Sequence, residues 1–125
     1  MRDHLMTDKI WLCTNVLRAA IARIEWIFET FPSVCLSFSG GKDSTVLFHL
    51  LADVARRKKR RFSVLFIDWE AQYRCTIEHI QKMREMYHDV TETFYWVALP
   101  LTTVNGVSQF QPEWICWESG VKWVR

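Results

Sequence analysis

The residue types best suited to chemistry stand together in one run, Ser37-Phe38-Ser39-Gly40-Gly41-Lys42-Asp43-Ser44-Thr45. Hydroxyls and an ammonium supply donors, and Asp43 can fix the loop or hold a cation. Two adjacent glycines let the backbone turn sharply and approach a ligand with no Cβ in the way. Such a run suits an anion, most often a phosphate. A second acidic group follows at Asp68 and Glu70. An acid at the tip of the second strand of a βαβ unit is placed to meet a ribose hydroxyl, which is the expectation for Asp68. Trp69 would stack on a purine or roof the pocket. Glu70 would bind a metal or sit as a carboxylate at a helix N-terminus.

Flanking elements must hold these groups in place. Val34-Cys35-Leu36 is short and apolar and reads as a buried strand, within an expected strand at 34–38. After the glycines, apolar positions 46, 47, 50, 51 and 54 recur at helical spacing, predicting a helix over 43–57. The order strand, glycine turn, helix puts free N–H groups and the positive dipole end at the loop. The loop is not a Walker A motif, because Leu36 stands where its first Gly is needed and Asp43 where its final Ser or Thr is needed.

The run SGGKDS resembles the PP-loop of the N-type ATP pyrophosphatases, whose shared pattern SGGxDS is matched at Ser39, Gly40, Gly41, Asp43 and Ser44. Lys42 and the following STVLFHL are most similar to the branch containing phosphoadenosine phosphosulfate (PAPS) reductases and the small subunit of ATP sulfurylase. The resemblance covers roughly residues 30–100. It implies a Rossmann-like, adenine nucleotide alpha hydrolase-like α/β fold. It also implies a nucleotide site of Ser37, Ser39, Gly40, Gly41, Lys42, Asp43, Ser44 and Asp68, with Lys42 and Asp43 in the catalytic roles. ATP or PAPS would be the ligand, with Mg²⁺ at Asp43, in the setting of sulfur metabolism. Relatives of this kind typically carry Asp-Thr-Gly where this chain has Asp68-Trp69-Glu70, so the Asp carries over and the glycine does not. PAPS reductases are usually longer and hold a redox cysteine in a C-terminal Glu-Cys-Gly-rich motif, which has no counterpart here. The chain reads as the nucleotide-binding half of a larger protein, or as a reduced stand-alone relative.

Length and composition fit one domain with a real core: 125 residues, half of them hydrophobic, with seven Trp. No apolar run approaches the ~20 residues a membrane helix needs. The polar N-terminus does not read as a signal peptide. Cys13, Cys35, Cys75 and Cys116 lie far apart with no Cys-x-x-Cys, so no metal is expected on them. Cys35 is expected to be a buried hydrophobe, Cys13 to lie on a helix face, and the chain to be cytoplasmic with reduced thiols.

Three segments follow from the chain in order: an N-terminal helix within 1–32, a β-α-β-α-β core over 33–100, and an aromatic-rich segment over 101–125. The first helix is expected over 8–30, capped by Thr7 or Asp8, with Ile10, Cys13, Leu17, Ala20, Ile24, Ile27 and Phe31 as its stripe and Pro32 as its stop. Trp11 and Trp26 lie off that stripe and are read as widening the apolar face. Arg56–Arg61 is six basic residues in a row, which invites a nucleic-acid contact. It lies about 20 Å along the helix from the loop, however, and complements the helix C-terminus, so a solvated helix end is the preferred reading. Phe62–Ile67 is nearly all apolar, like a strand covered on both faces. A helix over 74–89 should bury Ile77, Ile80, Met83 and Tyr87, and Thr93–Leu99 should be a third strand ended by Pro100. Residues 102–108 read as loop, 108–117 show no period, and 121–125 would make a short strand. The pattern implies a parallel sheet with helices on both faces.

Two functions are open at this stage. One is an enzyme that binds ATP or PAPS, cleaving between phosphates to pass AMP to an acceptor, or acting on activated sulfate, by positioning and charge stabilisation. No autonomous thiol-dependent reductase activity is expected, because no cysteine has a nearby resolving partner. The other is a catalytically incomplete regulatory or interaction module that works through a partner protein. Trp114, Trp117 and Trp123 should leave an apolar patch that pairs with a missing C-terminal region or with a second copy, making a homodimer through residues 110–125, the alternative being that they fold back on the Phe94–Leu99 strand of their own chain.

Overall fold

A computed structural model describes residues 11–125. The expected caps Thr7 and Asp8 and the start of the first helix lie outside the described residues. Helix α1 spans Val16–Thr30, and its cap is Asn15, whose side chain accepts from the Arg18 N–H at 2.9 Å. Residues 11–14, including Cys13 and Trp11, therefore precede the helix. Phe31 closes it in extended backbone, one residue before Pro32.

Strand β1 (Cys35–Ser37), helix α2 (Lys42–Lys58), strand β2 (Phe62–Ile67), helix α3 (Arg74–Met86) and strand β3 (Thr91–Val97) follow in order. The strands form a parallel sheet ordered β1-β2-β3, with Ser37 beside Leu65 and Leu65 beside Tyr95. Successive right-handed crossovers between neighbouring strands place both connecting helices on one side. That side holds the core: Leu36, Phe38, Val64 and Phe66 from the β1 and β2 segments, Phe48, Leu51, Ala52 and Ala55 from α2, and Ile77, Ile80 and Met83 from α3. Helix α1 packs on α2 and adds Ile24 and Phe28. The result is a truncated Rossmann-like α/β fold.

Alternation along the strands explains several departures from expectation. In β2 only Phe62, Val64 and Phe66 are buried; Ser63 and Leu65 are half-buried and Ile67 is exposed. An all-apolar run therefore does not have two covered faces here. Among the described residues the helical cover lies over one face. Cys35 belongs to the other, where it is exposed rather than buried, beside the exposed Ser37 and Tyr95. In α2 the buried stripe is Phe48, Leu51, Ala52, Val54 and Ala55, while Val46 and Leu47 are exposed, one position out of phase with the expected face. Trp11 and Trp26 are exposed instead of widening the core, with Trp26 edge-on to Phe31.

The last segment differs most. Residues expected as loop form strand β4 (Leu101–Val104), which pairs antiparallel with strand β5 (Glu113–Cys116). Residues 121–125 are not a strand. Cys116 is buried, its thiol against the carbonyl of Leu101 at 3.2 Å.

The basic run is spent inside the chain. Arg56 donates to both oxygens of Asp89 at 2.8 and 2.9 Å. Arg57 pairs with Glu25 and Asp53, and Lys58 with Glu29. Arg60 donates to the carbonyls of Phe28, Phe31 and Pro32 and lies over the Phe28 ring, and Arg61 donates to the Thr91 carbonyl. These contacts clasp the end of α1 and the start of β3 to the end of α2. The Arg56 guanidinium holds the Asp89 carboxyl below its ordinary range. A carboxyl depressed in the folded state adds stability above its unfolded pKa and loses it as pH falls through the folded value. Arg56→Gln is therefore expected to flatten the acid limb of a stability–pH curve and leave the neutral limb's slope unchanged. An acid limb of unaltered steepness would refute the assignment.

Candidate functional site

The glycine loop sits between the end of β1 and the start of α2. Gly40 has φ of +79°, a left-handed backbone that favours glycine. A Cβ there would lie 3.0 Å from Ile80 Cδ1 and 3.2 Å from Thr76 Cγ2, so α3 also closes against this residue. Gly41 is the N-cap of α2 with φ of −77° and has no side chain to cap the helix. Its carbonyl is held by the Thr45 N–H at 2.9 Å, the Thr45 hydroxyl at 2.8 Å and the Ser44 hydroxyl at 3.1 Å. Ser39 and Ser44 hydroxyls lie 3.0 Å apart, and the Gly41 N–H donates to Ser39 Oγ at 3.4 Å. The N–H groups of Lys42, Asp43 and Ser44 open the helix and have no intrahelical acceptor. Lys42 and Asp43 extend their side chains into solvent, 3.9 Å apart. The loop therefore presents backbone donors, two hydroxyls and one ammonium around the positive end of a 17-residue helix, an arrangement that stabilises negative charge.

Ser37 and Ser39 share a cavity of about 160 Å³ with Phe38, Ile67, Trp69 and Gln72. The parallel register explains the grouping: Ser37 pairs with Leu65, and Ile67 and Trp69 continue that side of β2. Trp69 is half-exposed and also borders a second cleft, against Thr103, Val104, Trp114 and Val124.

Asp68 falls on the other parity and is buried with the core face. Its Oδ2 accepts from Trp96 Nε1 at 2.6 Å, and its Oδ1 accepts from the Glu70 N–H at 3.0 Å and pairs with the Arg125 guanidinium. The strand tip is thus where the sequence places it, with its carboxylate already engaged by the chain. Glu70 is buried, at φ of +62°. It neither opens a helix nor joins a metal-ligating cluster; no group of three such residues exists among the described residues. Instead its two oxygens accept from the backbone N–H groups of Trp117 and Val124, each at 2.6 Å. Trp117 Nε1 also donates to the Asp68 carbonyl at 2.6 Å. The β2 tip is an anchor for the C-terminal segment, a role for which the sequence holds no local signal.

Sequence reasoning gave Thr45, the last residue of the run, no role of its own and passed over His79. Thr45 Oγ1 lies 2.9 Å from His79 Nε2, joining the first turn of α2 to α3.

The phosphoadenosine phosphosulfate reductase domain family matches residues 33–103, more than half of the chain and the whole of the loop-bearing sheet. The chain belongs to this family. The chain is also 60% identical over 117 residues to the uncharacterized protein YbdN of Escherichia coli (strain K12). That match covers 94% of this chain and 29% of the relative, so the chain spans less than a third of the relative's length. No solved structure matches the chain. No helix among the described residues is long and apolar enough to cross a membrane.

Proposed function

We propose that this PAPS reductase-family chain binds an adenine nucleotide, ATP or PAPS, with its phosphates on the PP-loop formed by residues 37–44. The observation that carries the reading is the glycine turn at the N-terminus of α2, inside the family-matched region, with the Gly41 carbonyl held by three donors. Lys42 offsets phosphate charge. The exposed Asp43 carboxylate, on the first turn of α2, would be the residue to hold a Mg²⁺ ion, which would offset phosphate charge. In a full-length context the chemistry would be pyrophosphatase-type adenylyl transfer or a reaction of activated sulfate, carried by positioning and charge stabilisation. Four free cysteines support a reducing, cytoplasmic setting. None has another close in sequence, so a thioredoxin-coupled assay of the chain with PAPS is expected to yield no sulfite.

A second reading is a nucleotide-sensing module acting through a partner, favoured by the Asp68 and Glu70 carboxylates being already engaged by the chain's own donors. Calorimetric titration with ATP and with PAPS tests binding, and an assay separating AMP and pyrophosphate from unreacted ATP separates enzyme from module. Exposed Phe110, Trp123 and Val124 support self-association through 110–125. A scattering mass near 14.9 kDa at every concentration would exclude the dimer.

A further inference from the structure

We propose that His79 is a positioning residue for the loop, fixing the peptide between Gly41 and Lys42 through the Thr45 hydroxyl. The proposal rests on reading residues 39–44 as the nucleotide site.

A hydroxyl has one proton. The Thr45 hydroxyl donates to the Gly41 carbonyl at 2.8 Å, so in its 2.9 Å contact with His79 the ring must be the donor. The network thus assigns the imidazole proton to Nε2. His79 is half-buried on α3, with its ring 6.2 Å from that of Phe38, centroid to centroid. On the same helix, Thr76, one turn before His79, and Ile80, the residue after it, abut Gly40. Helix α3 therefore touches the loop twice: by packing at Gly40, and by a hydrogen-bond relay that ends on Gly41.

The Gly41–Lys42 peptide is trans, so its C=O and N–H point in opposite directions. Drawing the Gly41 carbonyl into α2 turns the Lys42 N–H outward, toward where an anion is stabilised by the helix end. With the His79 donor in place the Thr45 hydroxyl has a single arrangement. Without it the hydroxyl is free to rotate away, and Gly41 loses one of its three donors.

The test uses His79→Leu, which removes the donor but keeps apolar bulk, and His79→Gln, whose amide N–H stands in for the imidazole Nε2–H. Amide exchange of the Thr45 N–H, measured without nucleotide, is expected to quicken about tenfold in His79→Leu, with ATP affinity about tenfold weaker, the size of one lost hydrogen bond. His79→Gln should restore both. Unchanged Thr45 exchange in His79→Leu would overturn the proposal, as would a Gln variant as defective as Leu, which would reduce His79 to packing. Should the unmutated chain not bind ATP, the nucleotide reading fails and amide exchange alone still judges His79. Should His79→Leu not fold, Thr45→Val breaks the same relay from the loop side, and normal exchange at residue 45 in that variant would equally overturn the proposal.

Discussion

Gly41→Val is expected to abolish detectable binding of ATP or PAPS, at least about 100-fold weaker than the parent, while the domain stays folded. The two halves of this result have separate causes. Gly41 lies at φ of −77°, where any residue is at ease, and the nearest atom to an added Cβ is Ser39 Oγ at 3.6 Å. The fold should therefore lose no more than about 1 kcal/mol, the size of a changed N-cap. The added methyls, however, stand at the mouth of the helix where phosphate oxygens must approach the backbone. Gly40 is the control with the opposite signature. Its left-handed backbone costs an L residue about 1–2 kcal/mol, and its Cβ would press on Ile80 at 3.0 Å, so Gly40→Ala should lower stability first. Calorimetric titration beside urea unfolding separates the two. Undiminished affinity in Gly41→Val would remove the loop from the nucleotide site.

Glu70→Ala is expected to cost about 2–4 kcal/mol of stability, because two backbone N–H groups lose a charged-type acceptor each. The bonds concerned run from Trp117 and Val124, 47 and 54 residues further along the chain. Their loss should free the C-terminal segment before the sheet unfolds. Glu70→Gln keeps one acceptor oxygen and should fall between. Glu70→Gly, which relieves the +62° backbone, should recover only part of the loss, since the acceptors are still gone. Urea unfolding gives the magnitude and amide exchange at residues 117 and 124 gives the place. Full protection of both amides in Glu70→Ala would show that the contacts contribute nothing.

The sheet and its helices were legible because their signals are local and periodic. Phe62–Ile67 matches β2 residue for residue, and Ile77, Ile80, Met83 and Tyr87 mark the buried face of α3 as spacing predicts. The glycine turn was legible because two glycines between an apolar run and a helix have few other uses. What failed has physical reasons. Strands β4 and β5 are four residues each and half-exposed, so no clean alternation marks them. Cys35 was misjudged because an apolar-looking strand conceals which parity meets the helices. Asn15 was missed as a cap because the apolar stripe can be extended back past it. The engagement of Asp68 and Glu70 depends on residues near the other end of the chain, and no window along the sequence contains both partners.

The one-sided helical cover has a consequence for how such a chain endures in a crowded cell. All-parallel sheets almost always have both faces covered. Here, among the described residues, Ile67 is 43% exposed and Tyr95 51%, on the face away from α2 and α3. Among the described residues, strand β3 leaves a backbone edge beside them with no further strand in its sheet. An apolar face next to an unpaired edge is a template for other chains. Its lifetime is then governed by encounter rates, chaperone capacity and protein concentration as much as by its unfolding free energy.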